Sequence, residues 1–392
     1  MTQKVVVFGA GATGRGHVGL LAWQAGFELV LVDKKPDLVE ALRRRGSYTV
    51  RLFGREDRDS PRERFQEIVV SGYRVHHSAE RAAIAEEIRG CPLVLTAVFD
   101  ENLPDVAETI ALGISACARS GRSEPQNCIA CENMMDSSST LGRHVRARLG
   151  PEELAWCERR VGFPDSMISR VVPRPEPDPL VIVAEDYNEW TARAEAFCGP
   201  KPPGLDCLEL VPNQSARLER KLFVHNGGHA VCGYVGFHRG HRYVHEAVAD
   251  PVVAEHVLGA LDELGEVVRR RHGFSAESIA AYKADLCRRG SVPEMRDEIL
   301  RVVRDPVRKL SPRERLVAPA NLAVEYGLAR QWIVRGIVAA MKYRHAGDAQ
   351  SELLARRLAH DGLPAVLREV CAIDPQSPLG EEIRQAWSDW TL

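Results

Sequence analysis

The sequence predicts an α/β domain built on a parallel sheet, followed by a mainly α-helical domain. Three observations carry this. Short apolar runs, KVVVF (4–8), FELVLVD (27–33), PLVLTAV (92–98) and NCIAC (127–131), alternate with helix-like stretches in the first half, and strands covered on both faces read as such unbroken runs. After about residue 185 apolar residues recur at three- and four-residue spacing to the C-terminus, the period of helices with one buried face. A chain of 392 residues also has room for two domains, each with its own core. The expected division is 1–185 and 186–392, with the proline-rich RVVPRPEPDPL (170–180) as the crossover.

Each element follows from local pattern. KVVVF runs into the glycine turn GAGATGRG and a helix-like stretch to about Ala25. PDLVEALRRRG reads as a second helix stopped by its glycine, and LPDVAETIALGISACA as a helix between the third and fourth apolar runs. YTVRL and EIVVSGYRVHH read as extra strands or a hairpin. In the second half, VVAEHVLGALDELGEVVRRRHG, RQWIVRGIVAAMKYRH and SELLARRLAH are amphipathic helices.

Composition excludes several classes. With 52 basic and 54 acidic side chains the net charge is −2, against a general binder of nucleic acid or anionic membrane. No apolar run reaches the roughly 18 to 20 residues that span a bilayer. The chain enters a strand within a few residues, leaving no room for a signal peptide. A cytoplasmic protein is expected, a monomer or small homo-oligomer. The ten cysteines are scattered; Cys128 and Cys131 have CxxC spacing without a second pair, which reads as structural thiols on a buried strand.

Gly9-Ala10-Gly11-Ala12-Thr13-Gly14 fits G-x-G-x-x-G, with Arg15 and Gly16 continuing the turn. It follows a strand, opens a helix, and precedes Asp33 at the end of the second strand, the context of a Rossmann-type dinucleotide site. Gly9 allows the tight turn, Gly11 lets the backbone approach a pyrophosphate, and Gly14 lets helix and strand pack closely. The helix N-terminus offers free N–H groups and partial positive charge to the phosphates. Asp33 would accept hydrogen bonds from the ribose hydroxyls and repel a 2′-phosphate, favouring NAD over NADP, although Lys34 and Lys35 are basic residues that such a phosphate could use.

KLFVHNGGH (221–229) crowds a lysine, an asparagine and two histidines onto a predicted helix. At 100° per residue, with Lys221 at 0°, His225 falls at about 40°, His229 at about 80° and Asn226 at about 140°, all in one arc. A lysine pressed into a cleft loses solvation and its pKa falls toward neutrality, as a general base for an alcohol requires. A nearby asparagine amide stabilises a developing alkoxide. Two other readings fit the spacing: a solvated polar face, and a metal site using His225 and His229 at i, i+4. Gly227 and Gly228 argue for a close approach to the backbone, since each costs about 1 kcal/mol in a helix against alanine.

With VFGAGATGRGHVG, IACENM (129–134), VGFPDSMISRVVP (161–173), ERKLFVHNGGHA (219–230), RKLSPRERLVAP (308–319) and VEYGL (324–328) in this order, nearly the whole chain resembles the polyol-specific long-chain dehydrogenases, the mannitol dehydrogenase family. The resemblance is closest to its shorter mannitol-1-phosphate 5-dehydrogenase branch, which this chain's length also favours. The resemblance implies a Rossmann-type domain and a helical substrate domain with the active site between them. It also implies metal-independent, NAD-linked interconversion of a polyol and a ketose, D-mannitol 1-phosphate and D-fructose 6-phosphate in the phosphate branch; the alternatives are a dehydrogenase of a non-phosphorylated polyol or a sugar acid and, in another class, an NAD-binding sensor without turnover. The family pattern K-x(4)-N-x(2)-H falls on Lys221 as general base, Asn226 as alkoxide stabiliser and His229 as the group orienting substrate, and leaves His225 outside. Asn133 and Arg315 fall on substrate-contacting positions. Three positions depart from the family pattern: Ser169 stands where an aspartate is usual, Asp136 where the phosphate branch tends to be basic, and Ala318 where lysine is common.

Overall fold

A computed structural model describes residues 3–56, 62–132, 134–173 and 176–391. The chain forms two compact units, residues 1–54 with 64–218, and 55–63 with 219–392.

The first unit is built on six parallel strands: β1 (Lys4–Phe8), β2 (Glu28–Asp33), β5 (Arg74–His77), β6 (Leu93–Thr96), β7 (Gln126–Ala130) and β8 (Val161–Gly162), in the order β5-β2-β1-β6-β7-β8. β3 (Ser47–Arg55) and β4 (Glu63–Ser71) belong to a separate sheet. Helix α1 begins as a π-helical turn, Gly14–Gly19, and continues as Leu20–Gln24. It is followed by α2 (Pro36–Arg45), α3 (Arg81–Arg89), α4 (Leu103–Arg119), α5 (Ser137–Arg146) and α6 (Pro151–Arg160).

The unbroken apolar reading of β1 has a direct cause. Val5 and Val7 enter one core with Leu20 of α1 and Val39 of α2, while Val6 and Phe8 enter another with Ile84 of α3 and Ile110 of α4. β2 leaves β1 on one side and β6 joins it on the other, Val7 pairing with Leu31 and Leu95. This reversal is the place where open parallel sheets bind ligands, at the carboxyl ends of the strands.

The division expected at residue 185 falls later. After the proline-rich segment, β10 (Val181–Glu185) pairs parallel with β3, and β11 (Glu189–Arg193) pairs with both β9 (Ser166–Ser169) and β12 (Glu209–Val211). These short strands return the chain to the first unit, which extends to Leu218. Trp190, Ala192 and Leu208 are buried in its core.

The second unit is helical. Helix α7 (Gln214–Arg220) leads through a π-helical turn, Lys221–His225, into α8 (Asn226–His238). There follow α9 (Val244–Ala249), α10 (Pro251–His272), α11 (Ala276–Gly290), α12 (Ile299–Val303), α13 (Pro306–Lys309), α14 (Val317–Glu325), α15 (Gln331–Lys342), α16 (Ala349–His360), α17 (Gly362–Glu369) and α18 (Pro378–Ser388). α8 is apolar nearly all round and lies at the centre of the core, with Val231, Tyr234 and Val235 packed among α10, α12 and α15. No helix among the described residues is long and apolar enough to cross a membrane.

Candidate active site

The glycine turn has the shape its sequence predicts. Gly9 has φ +88°, and a Cβ there would stand 2.3 Å from the Ala97 carbonyl oxygen beyond β6. Gly14 packs against the turn itself, where a Cβ would lie 1.8 Å from the Gly9 carbonyl oxygen. A Cβ on Gly11 would meet nothing within 4 Å, so the backbone at this point is open to an approaching ligand. Close packing behind and open space in front are what a pyrophosphate-binding turn needs, and the residues present fit a dinucleotide. Ala10 is buried, and Ala12 and Thr13 are half-buried at the start of α1.

Arg15 and Gly16 serve the turn from within. The buried Arg15 guanidinium donates to the Ala10 carbonyl at 2.6 Å and the Pro179 carbonyl at 2.8 Å, and Gly16 lies against Ile182 of β10. At the end of β2, Asp33 Oδ1 accepts the Lys35 N–H at 2.9 Å, which orients the carboxylate. Lys34 Nζ donates to Asn102 Oδ1 at 2.7 Å, so the first of the two lysines is already engaged.

Other first-unit positions are placed as follows. Glu132, beside Asn133, is buried and accepts from Thr96 Oγ1 at 2.7 Å and the Val98 N–H at 3.0 Å. Burial outweighs these bonds and raises its pKa. Asn133 itself lies outside the described residues. Ser169 is buried at the end of β9, and Asp136 is exposed before α5. Asp165 is engaged by Ser139, accepting its N–H at 2.8 Å and its hydroxyl at 2.6 Å.

The second unit gathers the predicted catalytic residues. Lys221 and His225 lie on the π turn, whose i→i+5 bonding widens the helix, and such turns recur at functional sites. Asn226 and His229 follow on the first turns of α8, and all four are half-buried. Gly227 and Gly228 do mark a close approach, and the partner is the protein itself. A Cβ on Gly227 would stand 2.9 Å from the Arg315 carbonyl oxygen and 3.0 Å from Leu264 of α10; one on Gly228 would meet Leu261 at 2.5 Å. The glycines let α8 and α10 pack closely, and they bring Arg315 beside the reactive helix.

The electrostatics show the same gathering. Burial, and then the charges of Arg289, His229, Lys221 and Arg315, hold the His225 imidazole well below its ordinary pKa. His225 therefore shares the environment of Lys221 and Arg315, although the family pattern omits it, and its ring centroid is 6.0 Å from that of His229. Arg315 is buried, with Nε on Glu314 Oε2 at 2.9 Å. Ala318 is half-buried on α14. Among the described residues no three His, Cys, Asp or Glu side chains gather as a metal ion would require.

Two residues escaped the sequence reading. Asp297 Oδ2 lies 3.2 Å from His229 Nε2; it is far along the chain, with no spacing rule to link it. Lys309 at the end of α13 is 4% exposed and donates to the Arg304 carbonyl. Burial, helped by Arg315 and Arg308, pushes its pKa down to about 7. The segment RKLSPRERLVAP was legible, but residue type alone does not tell a buried lysine from a solvated one.

Lys309 gives a stability prediction. Its folded pKa lies below the ordinary lysine value, so the unfolded chain binds the proton more tightly. The resulting cost, on the order of a few kcal/mol, is full below about pH 7 and fades as pH rises toward about 10. Lys309→Met should therefore raise the melting temperature most near pH 6, with the gain shrinking by pH 10. Thermal unfolding of both proteins across this range checks it; a gain independent of pH would contradict the assignment.

Two family descriptions match this chain: mannitol dehydrogenase Rossmann domain over residues 3–203, and mannitol dehydrogenase C-terminal domain over residues 215–387. The chain belongs to the mannitol dehydrogenase family. Two solved structures share its fold along almost its full length. Mannitol 2-dehydrogenase of Pseudomonas fluorescens, solved as a ternary complex with NAD and D-mannitol, matches with TM-score 0.77 at 16% identity, over 99% of this chain and 92% of that one. A D-sorbitol dehydrogenase in substrate-free form matches with TM-score 0.81 at 17% identity, over 99% and 93%. The family's two domain matches meet between residues 203 and 215, close to the end of the first compact unit at Leu218.

Proposed function

We propose that this member of the mannitol dehydrogenase family is an NAD-dependent dehydrogenase interconverting D-mannitol 1-phosphate and D-fructose 6-phosphate. The observation that carries this reading is the grouping of Lys221, Asn226 and His229 with Arg315 at the N-terminal end of α8. It occurs in a chain whose first unit carries a dinucleotide turn. Polar side chains massed at one end of an otherwise apolar helix have little packing value, and their types fit alcohol oxidation. A structural neighbour was solved with NAD and D-mannitol, in line with the cofactor and the polyol class.

NAD, held by the Gly9–Gly14 turn and Asp33, supplies the hydride acceptor. Lys221 Nζ takes the hydroxyl proton, leaving an alkoxide whose electron pair expels hydride from the same carbon. Asn226 donates an N–H to that oxygen, and His229 orients the hydroxyl toward Lys221. Arg308, which faces Asp305 and Glu314, and Arg315, which faces Glu314, are the basic groups offered to a phosphate dianion. Asn133 is proposed to contact the substrate, as its family position implies. The ten cysteines are all free thiols, which fits the reducing cytoplasm.

A second reading, a non-phosphorylated polyol, is favoured by one observation: Asp136 stands where the phosphate branch tends to be basic and Ala318 where a lysine is common, so two possible phosphate-binding charges are absent. A panel of hexitols, pentitols and their phosphates with NAD and NADP separates the two. NADH formation with D-mannitol 1-phosphate well above that with D-mannitol supports the first; the reverse supports the second; tight NAD binding without turnover on any of them overturns both.

Asp33 is predicted to set the cofactor preference. Losing a charge-assisted bond to the ribose costs about 1.5–3 kcal/mol, so Asp33→Ala should weaken NAD binding by roughly tenfold to a hundredfold or more. NADP binding should fall less or rise. Calorimetric titration with both dinucleotides reads this directly, and equal losses for the two would contradict the role.

A further inference from the structure

His229 is held from behind by a carboxylate that the family pattern does not include. Asp297 is 7% exposed, and its Oδ2 meets His229 Nε2 at 3.2 Å. Arg301, one turn on, clamps the same carboxylate with two bonds, Nε to Oδ1 at 2.6 Å and Nη2 to Oδ2 at 2.8 Å. The backbone of Asp297 is fixed as well. Its carbonyl accepts the Val244 N–H at 2.9 Å, the Ile299 N–H donates to the Arg242 carbonyl at 2.9 Å, and Tyr243 bridges Glu298. Arg296, with φ 44°, sends its guanidinium to the Tyr243 hydroxyl at 3.2 Å. The side chain therefore stands in a place set by three separate segments of the second unit.

Burial alone would push the Asp297 carboxyl up; the hydrogen bond with His229 and the charge of Arg301 outweigh it and keep the group ionised. An ionised carboxylate only accepts hydrogen bonds, so the proton of the His229–Asp297 contact sits on Nε2. In the neutral ring the other nitrogen, Nδ1, is then an acceptor. A histidine that must orient a substrate hydroxyl needs one defined tautomer, because the wrong one would present a donor where an acceptor is required.

We propose that Asp297, clamped by Arg301, is a positioning residue for the reaction: it fixes His229 as the Nε2–H tautomer and leaves Nδ1 as the nitrogen offered to the substrate hydroxyl. This rests on the reading of His229 as the substrate-orienting group. It adds a carboxylate–histidine pair to the Lys221–Asn226–His229 set, in which a third group orients the acting one. The pair transfers no proton in the step; Lys221 remains the group that takes it. His225, its ring centroid 6.0 Å from that of His229, is held well below its ordinary pKa by burial and the neighbouring charges.

The test has three parts. Nitrogen-15 NMR of the wild-type protein should show His229 protonated at Nε2; a Nδ1–H tautomer would overturn the proposal without any variant. Asp297→Asn keeps the shape but can turn an amide N–H toward Nε2, which moves the ring proton to Nδ1. It should lower kcat by about tenfold to a hundredfold, with NAD affinity unchanged. The loss should largely vanish in a His229→Ala background, because the effect acts through that ring. Wild-type kcat in Asp297→Asn, or full additivity with His229→Ala, would contradict it. Lys221→Ala assayed alongside separates the two levels: an active Lys221→Ala enzyme removes the underlying reading, whereas an inactive one beside a wild-type-like Asp297→Asn removes this inference alone.

Discussion

Lys221→Ala is expected to lower kcat by about 10²- to 10⁴-fold, the range that positioned general bases contribute, while the NAD dissociation constant stays within about twofold. The asymmetry follows from the architecture. Lys221 belongs to the second compact unit, on the π turn that leads into α8, whereas the dinucleotide turn and Asp33 belong to the first. Truncating the lysine leaves α8 packed, because the helix is held by Gly227 and Gly228 against α10 and by its apolar face against α12 and α15. Steady-state kinetics with a matched NAD titration reads both quantities. A variant turning over at the wild-type rate would show that another group takes the proton.

Gly14→Ala should remove dinucleotide binding and destabilise the first unit. The new Cβ would stand 1.8 Å from the Gly9 carbonyl oxygen, and backbone cannot move aside as a flexible side chain can. Gly9 is itself pinned, its N–H bonded to the Val32 carbonyl at 2.8 Å and its Cα against Ala97. Relief must come from displacing α1 or opening the turn, at a cost of roughly 3 kcal/mol. Either movement redirects the N–H groups that a pyrophosphate would use. Thermal unfolding and NAD titration should show a lowered melting temperature and loss of measurable affinity. By contrast Gly11→Ala, whose Cβ meets no protein atom, should keep wild-type stability and lose affinity alone; a stability loss there equal to that of Gly14→Ala would contradict the distinction.

The fold was legible where burial is simple. β1 and β6 read as unbroken apolar runs because helices cover both faces of their sheet, and α2 announced its end through Gly46 with φ 66°. The domain boundary was harder. β10, β11 and β12 are short and partly polar, and they earn their place by pairing with β3 and β9, partners distant in sequence. Long-range pairing leaves no period in the local sequence, so nothing near residue 185 foretells that the first compact unit continues to Leu218.

The site divided in the same way. Lys221, Asn226 and His229 lie within nine residues, and helical geometry alone brings them near one another. The two glycines were read as a close approach, and they make one, with Leu261, Leu264 and the Arg315 carbonyl as its other side. The π turn was not legible, because a widened helix differs from an ordinary one in bonding and leaves composition unchanged. Asp297 and Lys309 come from separate loops and helices, and their roles depend on burial: one carboxylate ionised between His229 and Arg301, one lysine pressed toward neutrality beside Arg315. Arg15, which continues the glycine turn in the sequence, also braces it through the Ala10 and Pro179 carbonyls, a contact no local pattern foretells.

In the proposed reaction Lys221, Asn226, His229 and Arg315 together serve the oxidation of a polyol phosphate by NAD. The most direct measurement is the initial rate of NADH formation with D-mannitol 1-phosphate and with D-mannitol, side by side with wild-type protein and Lys221→Ala. Rapid formation is expected with the phosphate, a kcat/KM at least about tenfold lower with the free polyol, as for one lost charge-assisted contact, and little with either in the variant. Equal or greater efficiency with D-mannitol, or undiminished turnover by Lys221→Ala, would contradict it.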